Sequence, residues 1–157
     1  KKIVKKLTLN LKLKNDVFVH RDFHISNLMI IKDRIGVIDS QDALIGNKAY
    51  DLASLIDDVR YKTPKLFKDK VFNYYTNKLK KVEINKLKND FEILSVLRNL
   101  KIIGIFTRLA IRDGKKNYLK MIPYTWKLIQ MRIKENNLFN DLEYLLKQYF
   151  RIKQNEN

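Results

Sequence analysis

The sequence predicts an α+β fold in which a small region of short strands is followed by a mostly helical remainder. Three short apolar runs, separated by polar residues, lie close together near the start of the chain at residues 17–19, 28–31 and 35–38. Beyond them, apolar side chains recur every three or four positions along most of the chain, which places them on one face of a helix.

Composition indicates one globular domain spanning residues 1–157. The chain has 157 residues, of which 45% are hydrophobic and 11% aromatic, enough for a real core. It shows no internal repeat, low-complexity tract or linker. The absence of cysteine excludes disulfides, cysteine-ligated zinc and a thiol nucleophile. No apolar run approaches the length that crosses a bilayer, so no membrane partner is expected.

The charge balance is strongly basic. There are 33 Lys and Arg against 17 Asp and Glu, a formal net charge of +16, which is the footprint of many nucleic-acid-binding proteins. Lysine is nevertheless spread along the whole chain, without a block of five or six like charges. Basic and aromatic residues also do not cluster on one short segment. Nucleic acid is therefore not an expected partner.

The first half of the chain gives four further local predictions. Residues 1–14 carry apolar side chains at near-helical spacing with lysines on the other face, which predicts a helix that ends at residues 15–16. Residues 32–34 form a polar turn between the second and third strands. Residues 41–48 are expected to be a loop, and residues 49–60 an amphipathic helix.

The second half is predicted to be helical throughout. After a break at Pro64, residues 66–79 form a helix with an aromatic face made of Phe67, Phe72, Tyr74 and Tyr75. Residues 84–111 are apolar on two faces, which is typical of a buried helix, and residues 112–114 end it.

Two further helices are expected toward the end of the chain. An apolar stripe over residues 119–133 predicts the first, with Pro123 near its start or at a kink. Residues 138–149 form the last helix, and residues 151–157 are expected to be frayed.

Polar residues crowd the connection between the first two strands: His20, Arg21, Asp22, His24 and Asn27. Their spacing fits a phosphoryl-transfer catalytic loop, in which Asp22 accepts the proton of the attacking hydroxyl and Asn27 holds a magnesium ion. Asp39 directly follows the third strand, where a second magnesium ligand is expected. Magnesium prefers one or two carboxylates together with phosphates and water.

These residues resemble the aminoglycoside phosphotransferase-like family of small-molecule kinases, relatives of the eukaryotic-type protein kinases. His24 favours the small-molecule branch, because protein kinases usually carry lysine at that position. Further segments are similar to bacterial kinases that phosphorylate the anomeric hydroxyl of N-acetylmuramate and N-acetylglucosamine: residues 38–43, 49–52, 98–101 and 112–115. The resemblance spans about residues 17 to 146. Ser40 departs from it, since related sequences often have Phe or Cys there.

The resemblance implies the C-terminal lobe of a protein-kinase-like fold, with ATP as phosphoryl donor, Mg²⁺ as cofactor and a small hydroxylated acceptor. Nothing before Val17 resembles the Gly-rich loop, strand lysine or helix glutamate of such kinases. Together with a first residue of Lys1 instead of Met, this predicts that the N-terminal nucleotide-binding lobe is absent from this chain and belongs to the same polypeptide. The fragment alone is expected to be inactive, and use of ATP predicts a cytoplasmic location.

The same resemblance assigns supporting roles to residues around the catalytic loop. His20 and Arg21 are expected to hold the loop's structure. His24 either lines the phosphate or acceptor site or orients Asp22. Asp51 is expected to cap the helix that follows the strands and to brace the catalytic loop.

Acceptor-binding residues are harder to predict. Gln41 and Asp42 follow the metal ligand and either contact acceptor hydroxyls or satisfy their own loop backbone. Tyr124 and Trp126 could stack on a sugar ring, but Trp126 falls on an apolar stripe, so a core position is expected.

The predicted activity is transfer of the γ-phosphoryl group of ATP to a hydroxyl of a small molecule, most simply the anomeric hydroxyl of a cell-wall amino sugar. An aminoglycoside or choline-type kinase is the alternative within the same enzyme class. A catalytically silent pseudokinase or a basic nucleic-acid-binding scaffold is the alternative outside it.

Overall fold

Two antiparallel strand pairs and six α-helices make up residues 1–134 and 136–149, the part of the chain that the computed structural model describes. The strands are β1 (Val17–Val19), β2 (Leu28–Ile31), β3 (Arg34–Val37) and β4 (Leu44–Gly46). The helices are α1 (Lys2–Leu9), α2 (Ala49–Ile56), α3 (Lys65–Thr76), α4 (Lys81–Arg112), α5 (Ile122–Ile133) and α6 (Asn140–Tyr149). The predicted α+β class with a mostly helical remainder is confirmed.

Strands β2 and β3 form a hairpin in which Leu28 pairs with Val37 and Ile31 with Arg34. Lys32 has a φ of 53°, in the left-handed region that tight hairpin turns require. The predicted bounds of the first and second strands are confirmed. The third strand begins and ends one residue earlier than predicted, because Arg34 belongs to the ladder and not to the turn.

The prediction of a loop over residues 41–48 is wrong, since β4 lies within it and pairs antiparallel with β1. Three residues are too few for a periodic pattern, and the strand is specified by its partner. Gly46 faces Val17 in the ladder. A Cβ at Gly46 would lie 3.2 Å from Val19 Cγ2 and 3.0 Å from Leu44 Cδ1, so glycine lets the two strands meet closely here.

Helix α1 ends at Leu9, five residues before the end of the predicted segment 1–14. The carboxylate of Asp90 in α4 accepts hydrogen bonds from the backbone N–H groups of Lys12, at 2.8 Å, and Leu13, at 2.9 Å. A backbone held in this way cannot continue the helix. The early end is therefore a tertiary effect, which local spacing does not reveal.

Helices α2 and α3 each stop earlier than predicted. The segment predicted as 49–60 ends at Ile56, because the following residues make a turn that carries buried polar groups. The segment predicted as 66–79 is α3. Its aromatic side chains do not share one buried face: Phe72 packs against Phe91 with ring centroids 5.2 Å apart, whereas Tyr74 is 80% exposed.

Helix α4 is the centre of the fold and contains the whole predicted segment 84–111. Its side chains enter all three hydrophobic clusters of the described residues. One cluster joins α4 to α1, α5 and α6, the second to α2, and the third to α5. The helix ends before Gly114, whose φ of 68° confirms the predicted stop at residues 112–114.

The last part of the chain agrees with its predictions in outline. Pro123 lies in the first turn of α5, where proline is well tolerated. Trp126 is partly buried against the first cluster, as expected for a core residue. Leu138 precedes α6 in a short 3-10 turn. The predicted frayed residues 151–157 lie outside the described part of the chain. Among the described helices, none is long and apolar enough to cross a membrane.

Candidate active site

The connection after β1 is held by one carboxylate. Asp51, in the first turn of α2, accepts the backbone N–H of His20 at 2.6 Å with Oδ2 and that of Arg21 at 3.0 Å with Oδ1. These two bonds hold Arg21 at a φ of 73°, a conformation that costs a non-glycine residue about 1–2 kcal/mol. Asp51 does not cap α2 as predicted: the N-cap residue is Lys48, and the N–H of Ala49 is bonded by Oδ1 of the preceding Asn47 at 2.9 Å.

Ile38 joins the two ends of the site. Its carbonyl oxygen accepts a hydrogen bond from Nε2 of His20 at 3.0 Å, and its N–H donates to the carbonyl oxygen of Asn27 at 3.1 Å. His20 is only 3% exposed, so its ring has a structural role. The hydrogen bond to the Ile38 carbonyl oxygen requires a proton on Nε2. Since Asp39 directly follows Ile38, the two predicted magnesium ligands lie on backbone segments that are hydrogen-bonded to each other.

The side chain of Asn27 is oriented by the catalytic loop itself. Its Nδ2 donates to the carbonyl oxygen of Asp22 at 3.0 Å, and its backbone N–H donates to that of His24 at 2.9 Å. Within the described residues Oδ1 accepts no hydrogen bond. The amide therefore presents an oxygen, the atom that a hard cation prefers.

Asp22 is half-buried, and its carboxylate accepts no hydrogen bond from residues 1–134 or 136–149. Its backbone oxygen, by contrast, is bonded by both His24 and Asn27. The loop thus fixes the backbone of Asp22 and leaves its carboxylate without a hydrogen-bond partner in the described residues.

Asp39 has a φ of 71° and is exposed. Its Oδ1 accepts a hydrogen bond from Nε2 of Gln41 at 2.7 Å. The carbonyl oxygen of Asp42 accepts one from the Arg21 guanidinium at 3.2 Å. Gln41 and Asp42 thus make hydrogen bonds that shape their own loop, which is one of the two roles predicted for them. Contact with an acceptor hydroxyl stays a prediction.

Asn27 and Asp39 both offer side-chain oxygens, the donor type that magnesium prefers. No group of three or more His, Cys, Asp or Glu in the described residues is arranged to hold a metal. A cation here would therefore need further oxygens from a ligand, as Mg²⁺ bound to nucleotide phosphates does.

A charged cluster, which we name the helical-side cluster, lies beside the loop and comprises His24, Tyr50, Asp58, Arg60 and Arg98. Asp58 is buried and accepts the backbone N–H of Ile25 at 3.3 Å and that of Arg60 at 3.0 Å. The Arg60 guanidinium lies 3.3 Å from the same carboxylate.

Burial is the largest influence on the pKa values of His24 and Tyr50 in this cluster. Burial lowers the pKa of His24, and Arg60 and Arg98 lower it further, against the opposing effects of Asp58 and Asp22. Burial raises the pKa of Tyr50, with Arg98 opposing the rise and Asp22 adding to it. Neutral imidazole and neutral phenol are therefore favoured around Asp22.

Arg98 is one of several residues of this cluster for which the sequence predicts no role. It is 6% exposed, and its NH1 has no hydrogen-bond partner among the described residues. Burial lowers the pKa of Arg98, while Tyr50, Asp58 and Asp22 oppose that shift. One signal was available in the sequence: Arg98 is a charged residue in the middle of a helix predicted to be buried.

A second buried carboxylate, Asp57, has a structural role. It pairs with Arg132 at 2.9 Å and Lys68 at 3.3 Å and accepts a hydrogen bond from Ser95 Oγ at 2.6 Å. It thereby fastens the end of α2 to α3, α4 and α5. Burial alone would raise the pKa of Asp57, but Arg132, Lys68 and Ser95 together lower it.

Known proteins resemble this chain over most of its length. Residues 2–83 match the profile described as APH, the phosphotransferase enzyme family. An N-acetylmuramate/N-acetylglucosamine kinase of Neisseria meningitidis is 40% identical over 113 residues, which is 68% of this chain and 34% of that protein. The protein of the same name from Pseudomonas aeruginosa is 35% identical over 137 residues, 83% of this chain and 40% of the relative. A third, from Caulobacter vibrioides, is 32% identical over 115 residues, 70% of this chain and 32% of the relative. The matches thus span about a third to two-fifths of the length of these relatives.

Proposed function

The chain belongs to the phosphotransferase enzyme family, and from that membership we propose that it is the C-terminal catalytic lobe of an ATP-dependent kinase acting on a hydroxyl of an amino sugar. The observation that carries the proposal is the hydrogen bonding of two side chains. Asp22 has an unengaged carboxylate, and Asn27 has an amide oriented to present its oxygen, five residues later in the same loop.

In the proposed reaction, Asp22 orients the acceptor hydroxyl and accepts its proton as the oxygen attacks the γ-phosphorus. The bond from that phosphorus to the leaving oxygen of ADP breaks as the new bond forms. Asn27 and Asp39 would hold Mg²⁺, which supplies neutralisation of the phosphate charge when it is bound. His20 and Asp51 act before chemistry, by holding the loop in the conformation that places Asp22.

We propose N-acetylmuramate or N-acetylglucosamine as acceptor, phosphorylated at the anomeric hydroxyl, in line with the names of the relatives. The charge of the chain supports this choice over an aminoglycoside. A polycationic acceptor would need a group of carboxylates around its amines, whereas the helical-side cluster places two arginines near His24, two residues after Asp22. An aminoglycoside or choline-type acceptor remains the alternative that the experiment below includes.

The relatives are two to three times longer than the matched part of this chain, which supports a second lobe in the complete polypeptide. We propose that this lobe covers the phosphates and holds the adenine, and that the 157 residues alone release no ADP. Because the donor is ATP, we place the reaction in the cytoplasm.

The test is ADP release by the complete product of the gene that encodes this chain, with Mg²⁺ and ATP, against four acceptors: N-acetylmuramate, N-acetylglucosamine, kanamycin and choline. Turnover is expected with the amino sugars, and Asp22→Asn should lower kcat by about 10²- to 10⁴-fold, the usual contribution of a general base. Asp69→Asn, on the exposed surface of α3, is the matched control and should leave kcat unchanged.

Turnover with kanamycin or choline alone would overturn the proposed amino-sugar acceptor but leave the proposed phosphoryl-transfer mechanism standing. Undiminished kcat in Asp22→Asn would overturn the mechanism. ADP release by the 157-residue chain alone would contradict the proposed second lobe.

A further inference from the structure

Arg98 reaches the catalytic loop because α4 presents one face to it. Ser95 Oγ donates to Asp57 at 2.6 Å, so the face of α4 that carries Ser95 meets the end of α2. Arg98 follows three residues later and therefore lies on the same face. Asp58, next to Asp57, accepts the N–H of Ile25 in the catalytic loop. Arg98 thus lies on the helical side of the loop that carries Asp22.

The guanidinium of Arg98 has no ion-pair partner in the described part of the chain. The nearby carboxylate of Asp58 is bonded by Arg60 instead, at 3.3 Å. A buried unpaired guanidinium destabilises a fold, and a structural arginine is normally paired and fully hydrogen-bonded. Two buried or partly buried guanidiniums thus lie beside the Asp58 carboxylate, which bonds Arg60, while Asp22 acts on Arg98 electrostatically without forming an ion pair with it.

We propose that Arg98 is a carboxylate-binding residue of the acceptor subsite, with Arg60 at its solvent side; this inference rests on the proposed amino-sugar kinase. A guanidinium matches the two oxygens of a carboxylate with parallel hydrogen bonds. N-acetylmuramate carries a carboxylate on its lactyl ether, and N-acetylglucosamine lacks it. Arg98 therefore discriminates between these acceptors without taking part in proton transfer. Burial is the main cause of the lowered pKa of His24, and Arg60 and Arg98 add to it, which agrees with a position of both guanidiniums near the loop.

The experiment compares kcat/KM for the two sugars in the complete gene product and its Arg98→Met variant. We expect a loss of about 10- to 100-fold for N-acetylmuramate, the usual effect of removing a hydrogen bond to a charged group. The value for N-acetylglucosamine should stay within about threefold of wild type. Arg98→Lys keeps the charge without the paired geometry and should fall between the two. Arg108→Met, an exposed arginine on the same helix, is the matched control.

Thermal unfolding of the same variants separates binding from structure. Since an unpaired buried charge is removed, Arg98→Met should melt at the wild-type temperature or above it. Equal losses for both sugars, or a marked fall in Tm, would assign Arg98 to the support of Asp22 or of the fold and overturn the inference, while the proposed function stands. Unchanged kcat/KM for N-acetylmuramate would also overturn it. Failure of the wild-type protein to use either sugar would instead overturn the proposed function, and the carboxylate subsite with it.

Discussion

Asp51 and Asp22 are examples of two kinds of polar group in the candidate site: those that are hydrogen-bonded within the chain and those that are not. Both oxygens of Asp51 are taken by backbone N–H groups, and none is left for a ligand. Three other groups make no hydrogen bond within the described residues: the carboxylate of Asp22, Oδ1 of Asn27 and the guanidinium of Arg98. Groups of the first kind set the geometry of the loop, and groups of the second kind are those that we propose contact substrates or Mg²⁺.

Replacing Asp51 tests the role of the groups that hold the backbone of the loop. Asp51→Ala leaves the N–H groups of His20 and Arg21 without their acceptor while Arg21 keeps an unfavourable φ. We expect the free energy of unfolding to fall by about 2–3 kcal/mol and kcat of the complete enzyme to fall with it. Urea unfolding measures the first quantity and ADP release the second. Asp69→Ala is the control, and a similar effect of both substitutions would contradict the anchoring role.

Asp57 predicts a pH dependence of stability. Its pKa in the folded chain lies below the ordinary value of 3.8, because Arg132, Lys68 and Ser95 outweigh the effect of burial. At pH values near 3.8 the unfolded chain binds more protons at this residue. The stabilisation is therefore complete above that pH and is lost as pH falls through the folded-state pKa.

Asp57→Asn leaves Arg132 and Lys68 without their shared partner and should lower the free energy of unfolding at neutral pH by about 3–5 kcal/mol. Urea unfolding at a series of pH values should also show a shallower loss of stability in acid than in the wild type. An unchanged slope in acid would assign the pH dependence to other carboxylates.

Much of the site was predictable from residue types and spacing, because a catalytic loop places its polar groups at fixed short separations. The positions of Asp22, Asn27, Asp39 and Asp51 follow from one stretch of sequence. Arg98 was not predictable in this way. The role that we propose for it depends on which face of α4 lies toward the catalytic loop, and only the packed structure shows that face.

At the scale of elements, two glycines beside or within α4 should respond in opposite ways to alanine. Gly104 lies on an exposed part of the helix with no atom within 4 Å of an added Cβ. Gly104→Ala should therefore stabilise the chain by about 0.5–1 kcal/mol. Gly114 ends the helix at a φ of 68°, where alanine costs about 1–2 kcal/mol. Urea unfolding measures both, and equal signs would contradict the assigned backbone conformations.

Elements that follow from local pattern were predicted well, and those that depend on distant partners were not. The hairpin of β2 and β3 and the long helix α4 have strong periodic signals of their own. Strand β4 has three residues and exists because β1 pairs with it. The end of α1 is set by Asp90, almost eighty positions away along the chain.

At the scale of the whole molecule, the net charge of +16 predicts self-repulsion. Salt shortens the screening length from about 30 Å at 0.01 M to about 8 Å at 0.15 M. We therefore expect Tm to rise over this range of NaCl as repulsion among lysines is screened. A neutral osmolyte at matched osmolality controls for solvent effects. A flat or falling Tm would show that local ion pairs outweigh the net charge.

Asp90 has a consequence for how the protein is made. Besides Lys12 and Leu13, its carboxylate holds the side chain of Asn47, which is 43 positions earlier in the chain. At a translation rate of about 5–20 residues per second, this residue is synthesised roughly 2–9 s after Asn47. For that interval β1, β4 and the catalytic loop between them exist without their anchor. The part of the chain that carries the proposed chemistry is therefore synthesised several seconds before the residue that fixes it, so its final geometry is completed only after α4 has been made.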